Sequence, residues 1–329
     1  MNSLQGKKIL FFAPKFFNYE IAIKEELENE GAIVHLYDER GNPSSLKKII
    51  IRTFPYLLKS RVLNYYKGII ENEKSFSPDF VFFLSPETAT KECIALMKLE
   101  FVSAKFILYM YDSIQNKNAK HIYPYFDRCL SFDPDDCKKY NFIFRPLFYV
   151  KSFESQSKLK EYKYDFSFVG TIHSDRAKLL YNLKKIFDIN GMPYYFYLYI
   201  PGKLLYTIRW ILDKYVRRFG KEYVHTESID KSTISSVSEQ SKCIIDINHP
   251  KQVGLTMRTI EMLGLRQKIL TTNEHIKEYD FYMPENQIVI SRSNFHIAPN
   301  CLNGNYQSVD ENVYKSYSLT SWIFKVFDL

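Results

Sequence analysis

The chain has 329 residues, 46% hydrophobic and 25% charged, which excludes a disordered, collagen-like or disulfide-stapled polypeptide and leaves room for two domains. Its 45 Lys and Arg against 37 Asp and Glu give a net charge of +8, enough to suit an anionic partner but far short of a dedicated nucleic-acid binder. The five cysteines show neither CxxC nor zinc-type spacing and read as reduced thiols of a cytoplasmic protein, and no apolar run approaches the roughly 18 residues of a membrane span.

Strand and helix signals alternate from the start. Residues 8–13 form a short apolar run suited to a buried parallel strand. Tyr19, Ile23 and Leu27 then recur at helical spacing up to Gly31, and residues 32–37 form a second strand. Strands are expected again at 79–84, 105–111, 129–132 and 142–146. The polar, weakly periodic stretch 151–164 reads as a linker, after which the pattern restarts with a strand at 165–170, a helix at 177–187 and a strand at 194–200. Later strands are expected at 243–247 and 268–272, with a helix over 258–263 between them. Tyr314, Tyr317, Trp322, Ile323 and Phe327 mark an amphipathic helix at the end of the chain. The expectation is therefore an α/β protein with two Rossmann-like domains. These are an N-terminal one over 1–150 and a C-terminal one over 165–310, with a terminal helix over 311–329 crossing back to the first.

Several chemistries are excluded by absence. No GxGxxG follows a strand, and no GxxxxGK[ST], HExxH or GxSxG occurs, which argues against a standard dinucleotide site, a P-loop, a zinc protease and a serine hydrolase. Asp133-Pro134-Asp135-Asp136 is compatible with a divalent cation, but it reads better as a helix N-terminus with acids at the positive end of the dipole. The richest stretch is residues 246–261, where a buried strand enters a polar loop holding His249. Gly254 and Thr256 then open a helix that carries Arg258 and Glu261. Such a strand end and helix N-terminus suit a phosphate, with Arg258 as a bidentate partner and Glu261 placed for ribose hydroxyls. An Arg258–Glu261 salt bridge on a solvated face is the alternative.

At this point the chain resembles the nucleotide-sugar glycosyltransferases of bacterial capsule and lipopolysaccharide biosynthesis, of the CgeB-like group with a GT-B fold. The resemblance rests on residues 14–19, 109–113, 131–136 and 145–149 in the first half, and on residues 165–171, 254–261 and 268–273 in the second. It implies two domains facing a cleft, the donor held by the C-terminal one, acceptor contacts mainly from the N-terminal one, and no dedicated metal or cofactor. Glu261 sits where many such enzymes place a ribose-binding glutamate. The earlier acid of the retaining families is replaced here by Val253, which leaves the stereochemical course open.

Metal-free transfer needs cations and helix termini aimed at the departing diphosphate. Gly170, Thr171, His173 and Arg176 after one strand, with Thr256, Arg258, Glu261 and Asn273 in the later segments, are the candidate donor contacts. Asp112 is the candidate base for the acceptor hydroxyl, or else an Asx-type turn with Ser113, and His249 is the second catalytic candidate. The expected partners are a nucleotide-sugar, a lipid-linked or oligosaccharide acceptor and an anionic membrane surface, with no nucleic acid. The expected location is cytoplasmic, peripheral at the inner face of the plasma membrane. Residues 40–70, with seven Lys or Arg and no acid, suit that surface. The basic amphipathic stretch 203–221 carries a single apolar helical stripe that could lie on an anionic leaflet, but it reads better as a helix packed on the core with a solvated basic face. A CDP-polyol phosphotransferase of the same fold and a non-catalytic sugar-binding scaffold are the competing readings.

Overall fold

The computed structural model describes residues 4–41, 59–117, 119–154, 162–293, 295, 297 and 301–329. The chain divides into two compact units, Met1–Val150 with Ser316–Leu329, and Lys151–Lys315.

In the first unit β1 (Lys8–Ala13), α1 (Tyr19–Asn29), β2 (Ile33–Asp38), α2 (Lys59–Glu73), β3 (Phe80–Leu84) and α3 (Lys91–Glu100) alternate. They are followed by β4 (Lys105–Met110), β5 (Arg128–Ser131), α4 (Pro134–Tyr140) and β6 (Ile143–Phe144). The strands pair in parallel in the order β2-β1-β3-β4-β5-β6. A parallel sheet is covered on both faces, which is why Ile9 through Ala13 are all buried. Alternate residues serve opposite faces: Phe12 stacks on Phe83 at 4.6 Å, and Phe11 stacks on Phe82 at 4.9 Å. The Asp-Pro-Asp-Asp string is a helix cap. Asp133 Oδ1 accepts the amides of Asp135 (2.9 Å) and Asp136 (3.3 Å), and Pro134 opens α4.

The single helix expected over 311–329 is corrected to two. A short helix, Glu311–Ser316, docks on the second unit, where the Tyr314 hydroxyl donates to the Gly264 carbonyl at 2.7 Å. The chain then pairs with Tyr149, which donates to the Tyr317 carbonyl (2.9 Å) and accepts from the Leu319 amide (3.0 Å). Those two bonds take the backbone out of the helix. Ser318 caps a new one, Leu319–Phe327, in the first unit, with Trp322 fully buried against Tyr109 (4.6 Å) and Phe148 (4.7 Å).

In the second unit β7 (Tyr164–Thr171), α5 (Arg176–Asn190), β8 (Tyr194–Tyr199), α6 (Lys203–Leu212), α7 (Lys214–Tyr223) and β9 (Val224–His225) come first. They are followed by α8 (Lys231–Glu239), β10 (Ser241–Asp246), α9 (Met257–Gly264), β11 (Lys268–Thr271) and β12 (Gln287–Val289). The parallel strands lie in the order β12-β11-β10-β7-β8-β9, so strand order reverses between β7 and β10. A crevice opens beyond the carboxyl ends of strands at such a reversal, because the connections leave to opposite sides.

Two further expectations are corrected or bounded. Residues 203–221 are not one helical stripe on the core. Asp213 breaks it, accepting the amides of Tyr215 (2.9 Å) and Val216 (3.4 Å) to start α7. Val216 and Phe219 of α7 are buried, whereas no residue of α6 is. Of the basic stretch 40–70, residues 42–58 lie outside the described residues. In the part described, the Arg40 guanidinium is buried beside Asp38 (3.3 Å), and Lys59 pairs with Glu92 (2.8 Å).

Candidate functional site

The reversal of strand order in the second unit decides which side chains meet. β7 delivers Gly170 and Thr171, and the loop after it runs through His173 and Asp175 into α5 at Arg176. β10 delivers Asp246, then Ile247, Asn248 and His249. Arg176 bridges the two strand ends, its Nε donating to the Ile247 carbonyl (2.7 Å) and its Nη1 to the Thr171 carbonyl (3.0 Å). Burial lowers its pKa to about 10; Asp246 opposes the shift, while Arg258 and Arg292 add to it.

Arg258, on the first turn of α9, donates to the Val169 carbonyl and lies 5.5 Å from the centre of the Phe168 ring. Gly170 makes room for it. A Cβ there would stand 3.4 Å from Arg258 Nη1 and 3.1 Å from Phe168 Cζ. The guanidinium is thus laid along the backbone of β7, not engaged on a solvated helix face.

The start of α9 is held by a short network. Thr256 Oγ1 accepts the Thr259 amide (3.2 Å) and donates to Asp246 Oδ2 (2.7 Å), which also accepts from Thr259 Oγ1 (2.9 Å). The carboxylate of a buried strand end therefore sets the position of a helix N-terminus. Glu261, one turn further on, is buried.

Arg292, after β12, supplies a third guanidinium. Its Nη1 donates to both oxygens of Asp175 (2.8 Å each), and its Nη2 donates to Asn248 Oδ1 (2.7 Å). Asn248 in turn donates to the Gln252 carbonyl (2.9 Å) and accepts from Thr272 Oγ1 (2.8 Å). Asn273 is committed to scaffold. Its Nδ2 donates to the Val253 (3.0 Å) and Gly254 (3.4 Å) carbonyls, while its Oδ1 accepts the His275 amide (3.2 Å).

Two histidines complete the edge, with ring centres 6.0 Å apart. Burial, then the charges of Arg176, His249 and Arg209, lowers the His173 pKa to about 4, so it is neutral near pH 7. His249 is exposed, and its Nδ1 accepts the Lys251 amide (3.3 Å). With Nδ1 occupied as an acceptor, Nε2 is the ring nitrogen left to face a ligand as a donor.

Gly170, Thr171, His173, Arg176, His249, Thr256 and Arg258 are thus gathered at one sheet edge. Glu261 is buried on α9, and Asn273 lies in the scaffold. Asp112 belongs to the first unit, where its Oδ1 accepts the Ser113 amide (2.9 Å) and its Oδ2 lies 3.7 Å from Lys117 Nζ. That bond is to the next amide and not to the one two residues on, so it is not the expected Asx turn. Sequence reasoning missed Asp175 and Arg292, whose pairing spans 117 positions and leaves no local signal beyond a basic residue after a short strand.

Neither a protein-family profile nor a curated protein matches the sequence. Solved structures match over nearly the whole chain. Anabaena HepE, in complex with UDP and glucose, aligns with a TM-score of 0.61 over 98% of both chains at 9% identity. The catalytic domain of starch synthase IV from Arabidopsis thaliana, bound to ADP and acarbose, aligns with a TM-score of 0.56 over 98% of both at 10% identity. The apo form of the lipopolysaccharide outer core galactosyltransferase WaaB aligns with a TM-score of 0.53 over 98% of both at 12% identity. At such identities the likeness is one of fold: this chain has the double parallel-sheet α/β fold of the GT-B glycosyltransferases.

Proposed function

We propose that the chain transfers a sugar from a nucleotide-sugar donor to a precursor of a surface polysaccharide, such as capsule, lipopolysaccharide or exopolysaccharide, without a resident metal or cofactor. The observation that carries this reading is the convergence of Arg176, Arg258 and Arg292 at the strand-order reversal of the second sheet. As a glycosidic bond to a diphosphate breaks, negative charge grows on the leaving oxygen. Cations already fixed in a partly dehydrated site stabilise that charge without reorganising. A guanidinium has five N–H groups, so the bonds to the Thr171, Ile247 and Val169 carbonyls anchor Arg176 and Arg258 while other N–H groups reach a phosphate. The N-terminus of α9 adds its dipole, and His249 Nε2–H adds a further donor.

The acceptor class is supported by the sequence resemblance and by the name of one structural neighbour, a lipopolysaccharide outer core galactosyltransferase. Lipid-linked precursors place the reaction at the inner face of the plasma membrane, with the protein cytoplasmic and peripheral. No helix among the described residues is long and apolar enough to cross a bilayer.

A thermal-shift screen against UDP, GDP, dTDP, CDP and CMP, followed by donor hydrolysis, tests the reading, because a bound nucleotide stabilises the fold. Stabilisation by one nucleoside diphosphate, with its slow release from the matching sugar donor, is the expected result. Release of CMP would replace the proposal with polyol-phosphate transfer. No shift with any nucleotide would leave a non-catalytic scaffold and end it.

A further inference from the structure

We propose that α6 is an interfacial helix that seats the second unit on an anionic lipid bilayer. The proposal goes beyond sugar transfer: it names the segment through which the protein reaches the membrane.

The packing of α6 is inverted with respect to an ordinary surface helix. Tyr206 and Trp210, one turn apart, rest on the hydrophobic core of the second unit. The aliphatic side chains point the other way: Leu204 is 77% exposed, Leu205 40%, Ile208 43%, Ile211 66% and Leu212 78%. At about 100° per residue these five positions fall within an arc of about 120°, a continuous apolar stripe facing water. Isolated exposed leucines need no explanation, but five on one face of a ten-residue helix do.

Charge selects the occupant. Lys203 and Arg209 flank the stripe on α6, and the helix that follows adds Lys214, Arg217, Arg218 and Lys221, so residues 203–221 carry six cations against the single acid Asp213. That acid caps α7 through Oδ1, which accepts the Tyr215 amide at 2.9 Å, and its Oδ2 lies 4.0 Å from Arg209 Nη1, which leaves the stretch strongly cationic. Arg217 is fixed beside the stripe by donating to the Trp210 (2.8 Å) and Ile211 (2.5 Å) carbonyls. An apolar strip rimmed by cations matches the boundary between acyl chains and anionic headgroups. It matches a second copy of the chain poorly, because the same cations would face each other. A helix about 15 Å long and about 10 Å wide also offers far less than the roughly 800 Å² per partner of a stable dimer.

The position of α6 gives the docking a purpose. It follows the carboxyl end of β8, at the edge of the sheet where the arginines gather, and Arg209 is among the charges that act on His173. A membrane touching α6 would lie beside the candidate donor site.

The test is co-sedimentation of the full chain with phosphatidylethanolamine vesicles containing phosphatidylglycerol, and with phosphatidylcholine vesicles, at low and high salt. The wild type is expected to pellet with the anionic vesicles, weakly with the zwitterionic ones, and to keep part of its binding at high salt. A triple variant, Leu204→Ser with Ile211→Ser and Leu212→Ser, is expected to lose at least roughly tenfold in partitioning. Its melting temperature and nucleotide-induced shift should stay those of the wild type. The single variant Leu212→Glu should show the same direction of change if the triple variant is destabilised. Wild type that fails to bind anionic vesicles, or variants that bind as well as wild type, would overturn the proposal. So would a wild-type dimer that the triple variant dissociates without any vesicle binding, which would assign the stripe to self-association. Loss of nucleotide binding bears only on the donor site, so failure of either reading is told apart from failure of the other.

Discussion

Replacing Arg258 by Ala separates a ligand-binding arginine from a structural one. If the guanidinium meets the donor diphosphate, its removal deletes a charge-assisted hydrogen bond worth about 1.5–3 kcal/mol, or roughly 10- to 150-fold in affinity. The fold loses less. The Val169 carbonyl, half-buried at the end of β7, gives up one donor, and the ring of Phe168 gives up a cation at 5.5 Å. Against these losses, removing one positive charge relieves Arg176, whose pKa Arg258 helps to depress. The net cost to stability is then about 1–2 kcal/mol, a few degrees in melting temperature for a unit of this size. Arg258→Lys keeps the charge but not the planar fork and should fall between wild type and Ala in affinity. Isothermal titration with the nucleoside diphosphate found by screening, alongside thermal melting, measures both effects. Unchanged affinity in a protein whose melting temperature collapses would show that Arg258 only ties α9 to β7.

Trp322→Ala empties a fully buried site between Tyr109 and Phe148 and should cost about 3–5 kcal/mol in urea unfolding; an unchanged midpoint would deny the terminal helix its place in the first core. His173 should titrate near pH 4 in the free protein by NMR. The unfolded chain takes up this proton at about 6.5 and the fold only at about 4, so His173 makes the fold less stable as pH falls through that window. A bound diphosphate should raise that pKa, so nucleotide binding is expected to take up protons there, and a binding constant flat from neutral to acid pH would separate His173 from the phosphate. Glu39 has the opposite sign. Burial raises its pKa to about 7 against the lowering bonds from Thr88 and Glu87, so its contribution to stability is full below about 4.5 and is lost as pH rises through 7. Glu39→Gln should flatten that part of the stability profile measured by denaturant unfolding, and an unaltered slope would assign it to other groups.

The alternation of strands and helices, the restart of the pattern after residue 164 and the cap at Asp133 were legible in the sequence, because each depends on neighbours a few residues apart. The same holds for Thr256 opening α9 and for Arg258 on its first turn, since a cap and the residue after it are one local unit. Arg292 was not legible. Its partner Asp175 lies 117 positions away, and only the order of strands in the folded sheet brings the two together. The end of the chain shows the same limit. Periodicity indicated a helix over 311–329, but the pairing of Tyr149 with Tyr317 and Leu319 decided that it would break. The stretch 203–221 is the clearest division between the two. Its spacing determined that an apolar stripe exists, since a helical period is a property of the chain alone. Whether that stripe meets the core or the solvent depends on what the rest of the unit places opposite it. Here the folded core takes Tyr206 and Trp210, so the leucines and isoleucines of α6 are turned outward.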